Sequence, residues 1–142
     1  MARRRIEARG WSNVEAVEAD ATAWRSPEPA DVVTFSYSLT MIPDWFRAID
    51  RALENLKPGG RIGVVDFYIS RKWPSDGLRK HGRFQRFWWP QSYAWDDVFI
   101  SPDHLPYLRA RFDEELRLER LAKVPYMLGL RSPHYVFVGR KL

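Results

Sequence analysis

Along this chain the spacing of apolar positions switches between the helical and the extended period, and each switch predicts an element. Residues 2–10 read as a short, charged helix closed by Gly10. "NVEAVEAD" (13–20) alternates Val14, Ala16 or Val17 with glutamates, as a strand edge does. "ATAWRSPEPA" is a loop punctuated by Pro27 and Pro29, and "DVVTFSYS" (31–38), β-branched and aromatic, predicts a buried strand. Pro43 and Asp44 then open a helix, with Asp44 as N-cap. Trp45, Phe46, Ile49, Ala52, Leu53 and Leu56 share one face of it, charged residues take the other, and Pro58-Gly59-Gly60 stops it. "RIGVVDFYIS" (61–70) is nearly continuous in apolar character, as in a strand covered on both faces.

Farther on, Ser101 as cap and Pro102 at the first helical position start a helix over "SPDHLPYLRARF". Residues 114–124 alternate loosely, "PYMLGL" is a loop, and "HYVFVGRKL" is a strand, so the chain is expected to close on an antiparallel hairpin. The order of strands and helices predicts an α/β fold with a parallel sheet. At 142 residues it forms one domain, 1–142.

Composition narrows the chemistry. The absence of Cys excludes disulfides, thiolate metal sites and Cys nucleophiles. No apolar stretch approaches the roughly 18–20 residues of a spanning helix, and the basic N-terminus lacks the apolar core of a signal peptide, so a cytoplasmic protein is expected. The net charge of +5 is concentrated in residues 71–95. That segment holds six bases (Arg71, Lys72, Arg79, Lys80, Arg83, Arg86) and one acid, Asp76; six minus one is five, and the rest is neutral. Trp73, Trp88, Trp89 and Trp95 lie in it too. It reads either as a solvated insertion or lid, or as a surface for anionic lipid or nucleic acid. No nucleic-acid-binding signature accompanies the charge. His81, His104 and His134 are far apart, without metal-ligand spacing, and no Ser-His-Asp order or phosphate-cradling loop is present.

Taken together, "EADAT", "DVVTFSYSL", the helix, "LKPGG", "RIGVVDF" and the closing hairpin resemble a class I S-adenosylmethionine-dependent methyltransferase. More narrowly, "VTFSYSLTMIPDWFRAIDRALENLKPGG", "GVVDFYIS" and "VPYMLGLRSPHYVFVGRK" are similar to bacterial betaine-lipid enzymes, which methylate the amine of diacylglyceryl-homoserine. The likeness runs over about residues 5–141 and implies a Rossmann-like methyltransferase sheet, truncated at its N-terminal side. The family's opening strand, its G-x-G-x-G loop and the acid that binds ribose have no counterpart among the scattered glycines here. They would occupy roughly 50–60 residues upstream, so a fragment or a late start at Met1 is expected.

The resemblance also implies a site. Asp20 and Ala21 would hold adenine, with Thr22 or Trp24 beside it; the alternative is that Asp20 starts a turn or caps a helix. Backbone near Ser36 and the side chains of Tyr37 and Leu39 would approach the sulfonium of S-adenosylmethionine. Asp66 is either a buried, hydrogen-bonded carboxylate or a group facing the acceptor amine. Tyr37, Tyr68, Trp88 and Trp89 are the aromatics expected to cage a quaternary ammonium product, or else to pack in the core. These readings make Tyr37, Asp66 and Tyr68 the catalytic candidates. The acceptor is a lipid-headgroup or small soluble amine, and the segment 71–95 would place the protein against the inner face of a membrane. A different class stays open: a non-catalytic Rossmann-like remnant that self-associates through an open sheet edge.

Overall fold

The computed structural model describes residues 2–75, 77–95, 98–123 and 131–142. The sequence-predicted loop "PYMLGL" lies outside them. Helix α1 (Ala2–Arg9) comes first, ended by Gly10 at φ +63°, the left-handed cap its position predicted. Residues 13–20 form no strand; Val14 and Val17 are exposed and pair with nothing in the sheet. Alternation alone cannot make a strand without a neighbour to take its hydrogen bonds.

The sheet is built from β1 (Ala30–Ser36), β2 (Leu56–Phe67), β3 (Asp113–Lys123) and β4 (Arg131–Arg140), in the order β1-β2-β4-β3. β1 and β2 are parallel, while β4 runs antiparallel to both β2 and β3, so the sheet is mixed, a parallel pair finished by an antiparallel hairpin. The closing hairpin is as predicted. A short 3₁₀ turn (Leu39–Met41) and α2 (Trp45–Asn55) connect β1 to β2. After β2 come α3 (Arg83–Ala94) and α4 (His104–Arg111).

α2 buries Ala48, Ile49 and Ala52, the stripe read from the sequence. Its end differs from the expectation. Leu56 is already paired with Ala30, so strand replaces the helix's predicted last turn. Lys141, from the far end of the chain, donates its ammonium to the carbonyls of Leu53 and Leu56, each at 2.7 Å. A cation on the last carbonyls satisfies groups that the helix leaves open and opposes its dipole. Gly60 sits where a Cβ would lie 2.9 Å from the Lys57 carbonyl oxygen and 3.1 Å from that of Asp31, so this turn needs glycine for space. At α4 the helix begins at His104, two residues after Pro102, and Ser101 Oγ accepts the Asp103 N–H at 3.1 Å.

Alternation along β2 divides the sheet into two unequal faces. Leu56, Ile62, Val64 and Asp66, with Tyr135 and Phe137 of β4, are fully buried against the 3₁₀ turn, α2 and α4. Gly63, Val65 and Phe67 point the other way and are half-buried. That second face is covered near the carboxyl end of β2, where α3 lays Trp89 and Tyr93 on Ile69, Ile100 and Phe67. Val32 and Leu116 remain exposed on the sheet.

Candidate active site

The carboxyl end of β1 is where the backbone is bent hardest. Tyr37 has φ +49°, the single positive φ of a non-glycine residue among the described residues. Its N–H still donates to the Val65 carbonyl at 2.8 Å, continuing the parallel ladder one step past Ser36. A left-handed Tyr costs on the order of 1–2 kcal/mol, and such strain gathers at functional sites. The bend turns the ring outward, half-exposed, onto Phe67 at 5.1 Å.

From there a run of rings crosses the part of the second face that α3 covers. Phe67 lies 4.7 Å from Tyr93, and Tyr93 lies 5.8 Å from Trp89. Three polar groups border this run: Tyr93 Oη and Ser132 Oγ, which lie close enough to act on each other, and His134 Nδ1, which has no hydrogen-bond partner among the described residues. His134 is directly opposite Phe67 in the β2–β4 register, hence on the same face. Tyr93 is close enough to Ser132 and Tyr37 for each to act on its phenol, whose pKa is raised chiefly by burial.

The structure redistributes the residues singled out from the sequence. Asp66 is fully buried on the opposite face. Its Oδ1 accepts from Thr40 Oγ1 at 2.8 Å and the Phe67 N–H at 2.8 Å, and its Oδ2 accepts from the Thr40 N–H at 3.2 Å. Burial raises its pKa against the pull of these bonds. It has the hydrogen bonds of the first of the two readings, and they pin the 3₁₀ turn to β2. Tyr68 is likewise inside, edge-on to His81 at 5.7 Å and Tyr135 at 5.9 Å, with its phenol pushed up to about 12 by burial. Both side chains lie on the face that α2 and α4 bury, away from the ring run described above. Leu39 is fully buried in the main core.

The cage of Tyr37, Tyr68, Trp88 and Trp89 does not assemble either. Tyr37 and Trp89 belong to the ring run, whereas Trp88 stacks on Phe84 at 5.9 Å on the outer side of α3. Phe67 and Tyr93 take the missing places. Sequence reasoning passed over them and His134, although alternation from Asp66 turns Phe67 to the opposite face, and the four-residue spacing of Trp89 and Tyr93 puts them on one helix face.

Asp20 starts a turn. Its Oδ1 accepts both the backbone N–H and the hydroxyl of Thr22 at 2.8 Å, and these bonds lower its pKa. Its main-chain carbonyl accepts the N–H groups of Ala23 and Trp24. Ala21 is exposed at the apex. The following loop is held by α2: Asn55 donates to the Trp24 carbonyl at 3.2 Å and accepts the Ser26 N–H at 3.1 Å. Among the described residues, no hydrogen bond, ion pair or ring contact joins the Asp20 turn to residues 36–39. The same residues contain no cluster fit to hold a metal ion.

Comparison with known proteins follows this geometry. The family model for a methyltransferase domain matches residues 2–112. The demethylmenaquinone methyltransferase of Thermus thermophilus is 31% identical over 137 residues, which cover 85% of this chain and 60% of that protein. The crystal structure of the N-methyltransferase NodS from Bradyrhizobium japonicum, in complex with S-adenosyl-L-homocysteine, superposes with a TM-score of 0.66 at 14% identity, over 99% of this chain and 60% of that one. YcgJ from Bacillus subtilis gives 0.67 at 13% identity, over 99% and 76%. The chain thus spans 60% of the length of the first relatives it matches. With the matched region running from α1 through α4, and the fold shared with these enzymes, the chain belongs to the methyltransferase domain family.

Proposed function

We propose that this chain forms the acceptor side of an S-adenosylmethionine-dependent N-methyltransferase acting on a lipid-headgroup amine, of the betaine-lipid type. The observation that carries the reading is the ring run Tyr37–Phe67–Tyr93–Trp89, with the polar groups of Tyr93, Ser132 and His134 beside it. The cofactor, when bound, supplies an electrophilic methyl group on a sulfonium. Methylating an amine then asks for a neutral, desolvated nitrogen held in line, so positioning supplies most of the effect. Tyr93 Oη and Ser132 Oγ are placed to orient the amine and its headgroup. His134 Nδ1 is placed to take the proton that the nitrogen sheds after a transfer. Aromatic faces stabilise the quaternary product without hydrogen bonds, which suits a site whose walls are rings.

The residues present fit part of the cofactor. The Asp20 carboxylate keeps Oδ2 free beside the exposed Ala21 backbone, an acceptor and a donor that match the edge of an adenine. Tyr37 and Ser36 fit the methyl end. No glycine-rich loop and no ribose-binding carboxylate is found in this sequence to complete it.

A second reading draws on the Thermus thermophilus relative, named for methylating demethylmenaquinone. A flat quinone ring would also stack on this run. Ring-carbon methylation leaves a neutral product, whereas a wall of aromatic faces is matched to the fixed cation that amine methylation leaves. That favours the amine. The test joins this chain to a glycine-loop half of the family fold and offers labelled S-adenosylmethionine with diacylglyceryl-homoserine and demethylmenaquinol in the same vesicles. Label on the amine lipid supports the proposal, and label confined to the quinol overturns it.

A further inference from the structure

The segment that carries the positive charge folds into a helix with two apolar faces, and one of them faces outward. On α3, Trp89 and Tyr93 lie about 40° apart and turn toward the sheet, where both are buried. On the opposite side Phe84, Phe87, Trp88 and Trp95 fall within an arc of about 100°. Their exposures are 73%, 70%, 47% and 89%. Phe84 and Trp88 stack at 5.9 Å, so the stripe is ordered. In a water-soluble helix these positions carry polar residues, and a contiguous exposed aromatic stripe marks a contact surface.

Cations flank it. Trp73, 73% exposed, holds the ammonium of Lys80 4.4 Å and that of Lys72 5.6 Å from its ring centroid. Arg79 and Arg83 are exposed as well. Of the segment's other two bases, Arg71 pairs with Asp103 at 2.7 Å, and Arg86 is half-buried. Lys72, Arg79, Lys80 and Arg83 are therefore the cations that can meet a partner.

We propose that α3 and the loop before it are a docking surface for an anionic lipid bilayer. Rings that reach headgroup depth beside lysine and arginine match the chemistry of a negatively charged membrane–water interface. A second copy of the chain fits less well, because its approach would set two such cationic patches face to face. Single-stranded nucleic acid calls for a charged groove, and this stripe lies on a convex helix. The surface borders the candidate site, since Trp89 and Tyr93 belong to the same helix. Docking of this surface is independent of which methyl acceptor the site takes, and binding can be measured without any cofactor.

The experiment is co-sedimentation of the 142-residue chain with vesicles of phosphatidylglycerol and phosphatidylcholine, compared with phosphatidylcholine alone. The chain should bind the anionic vesicles and be partly released as salt rises from about 0.05 M to about 0.5 M, where charges are strongly screened. Lys72→Ser, Arg79→Ser, Lys80→Ser and Arg83→Ser together should weaken low-salt binding on the order of a hundredfold. Phe84→Ser, Phe87→Ser and Trp88→Ser together should weaken it about tenfold at both salt levels, because the apolar contribution is not screened. All these side chains are exposed, so circular dichroism of both variants should match the wild type. The proposal is overturned if the wild-type chain ignores anionic vesicles or if the aromatic variant binds as well as wild type. Binding to single-stranded RNA in place of vesicles, or a dimer in sedimentation velocity that the aromatic variant abolishes while vesicles stay unbound, overturns it as well.

Discussion

Replacing Asp66 tests whether this carboxylate is a brace or a catalyst. It receives three hydrogen bonds, from Thr40 Oγ1, the Thr40 N–H and the Phe67 N–H. Asp66→Ala strands two backbone donors in a fully buried place and cuts the tie between the 3₁₀ turn and β2. Each stranded donor costs about 1–3 kcal/mol, and the relief of no longer burying a carboxylate offsets some of that. A net loss of about 3–5 kcal/mol is expected, a large part of the roughly 5–15 kcal/mol that holds a domain together. Asp66→Asn keeps the shape and one acceptor but points an amide N–H at a backbone N–H. It should cost less, about 1–2 kcal/mol. The pH dependence separates the two variants from wild type. Because burial raises the folded pKa of Asp66, the folded chain holds this proton more tightly than the unfolded one. Stability from this group is therefore present below the ordinary carboxylate value and falls as pH rises through the raised one. Both variants should lack that contribution. Urea unfolding followed by circular dichroism between pH 3 and pH 8 gives the comparison. If Asp66→Ala unfolds within about 1 kcal/mol of wild type, the bracing role is wrong and the acid is free for chemistry.

Three further expectations rest on other residues. His81 and His104 are both buried, and burial lowers each to about 4. Between there and the unfolded value near 6.5 the unfolded chain binds more protons, so stability should drop by up to about 1.4 kcal/mol per pH unit for each histidine as the solution is acidified. His104 leaves both ring nitrogens unpaired, so His104→Phe should blunt that loss, with urea midpoints at pH 5 and pH 7 as the readout. Tyr37→Asn should relieve the left-handed strain and raise stability by about 1 kcal/mol, while methyl transfer falls; a variant that loses stability and keeps activity would contradict the assignment. Calorimetry should find weak or no binding of S-adenosylmethionine to the chain alone. Joining a glycine-loop half should restore it, with Asp20→Ala then weakening it; tight binding by the chain alone would contradict this.

Local pattern carried most of the fold. The stripe from Trp45 to Leu53, the strand "DVVTFS", the left-handed Gly10 and the closing hairpin all follow from residue spacing and backbone preference. The misreadings share a cause, which is contact distant in sequence. Residues 13–20 alternate as a strand does but have no partner to pair with. The end of α2 is set by Lys141, 85 and 88 positions away from the carbonyls it meets. Alternation already placed Asp66 on the same side as Ile62 and Val64, the side that α2 buries, so its structural role was within reach of the pattern. The ring run was not. Phe67, Tyr93, Ser132 and His134 come from three separate stretches, and the β2–β4 register that sets His134 opposite Phe67 is a tertiary fact.

The central claim is that the ring run receives a methylated ammonium. The direct measurement is a nuclear magnetic resonance titration of the chain with the water-soluble glyceryl-homoserine headgroup in its unmethylated and trimethylated forms, alongside a neutral tert-butyl isostere. The account predicts that the trimethylated form shifts the ring signals of Tyr37, Phe67, Tyr93 and His134, that Tyr93→Leu weakens the effect, and that the isostere binds several-fold less well because it lacks the cation. Equal binding of the isostere, or shifts confined to residues away from these rings, would contradict it.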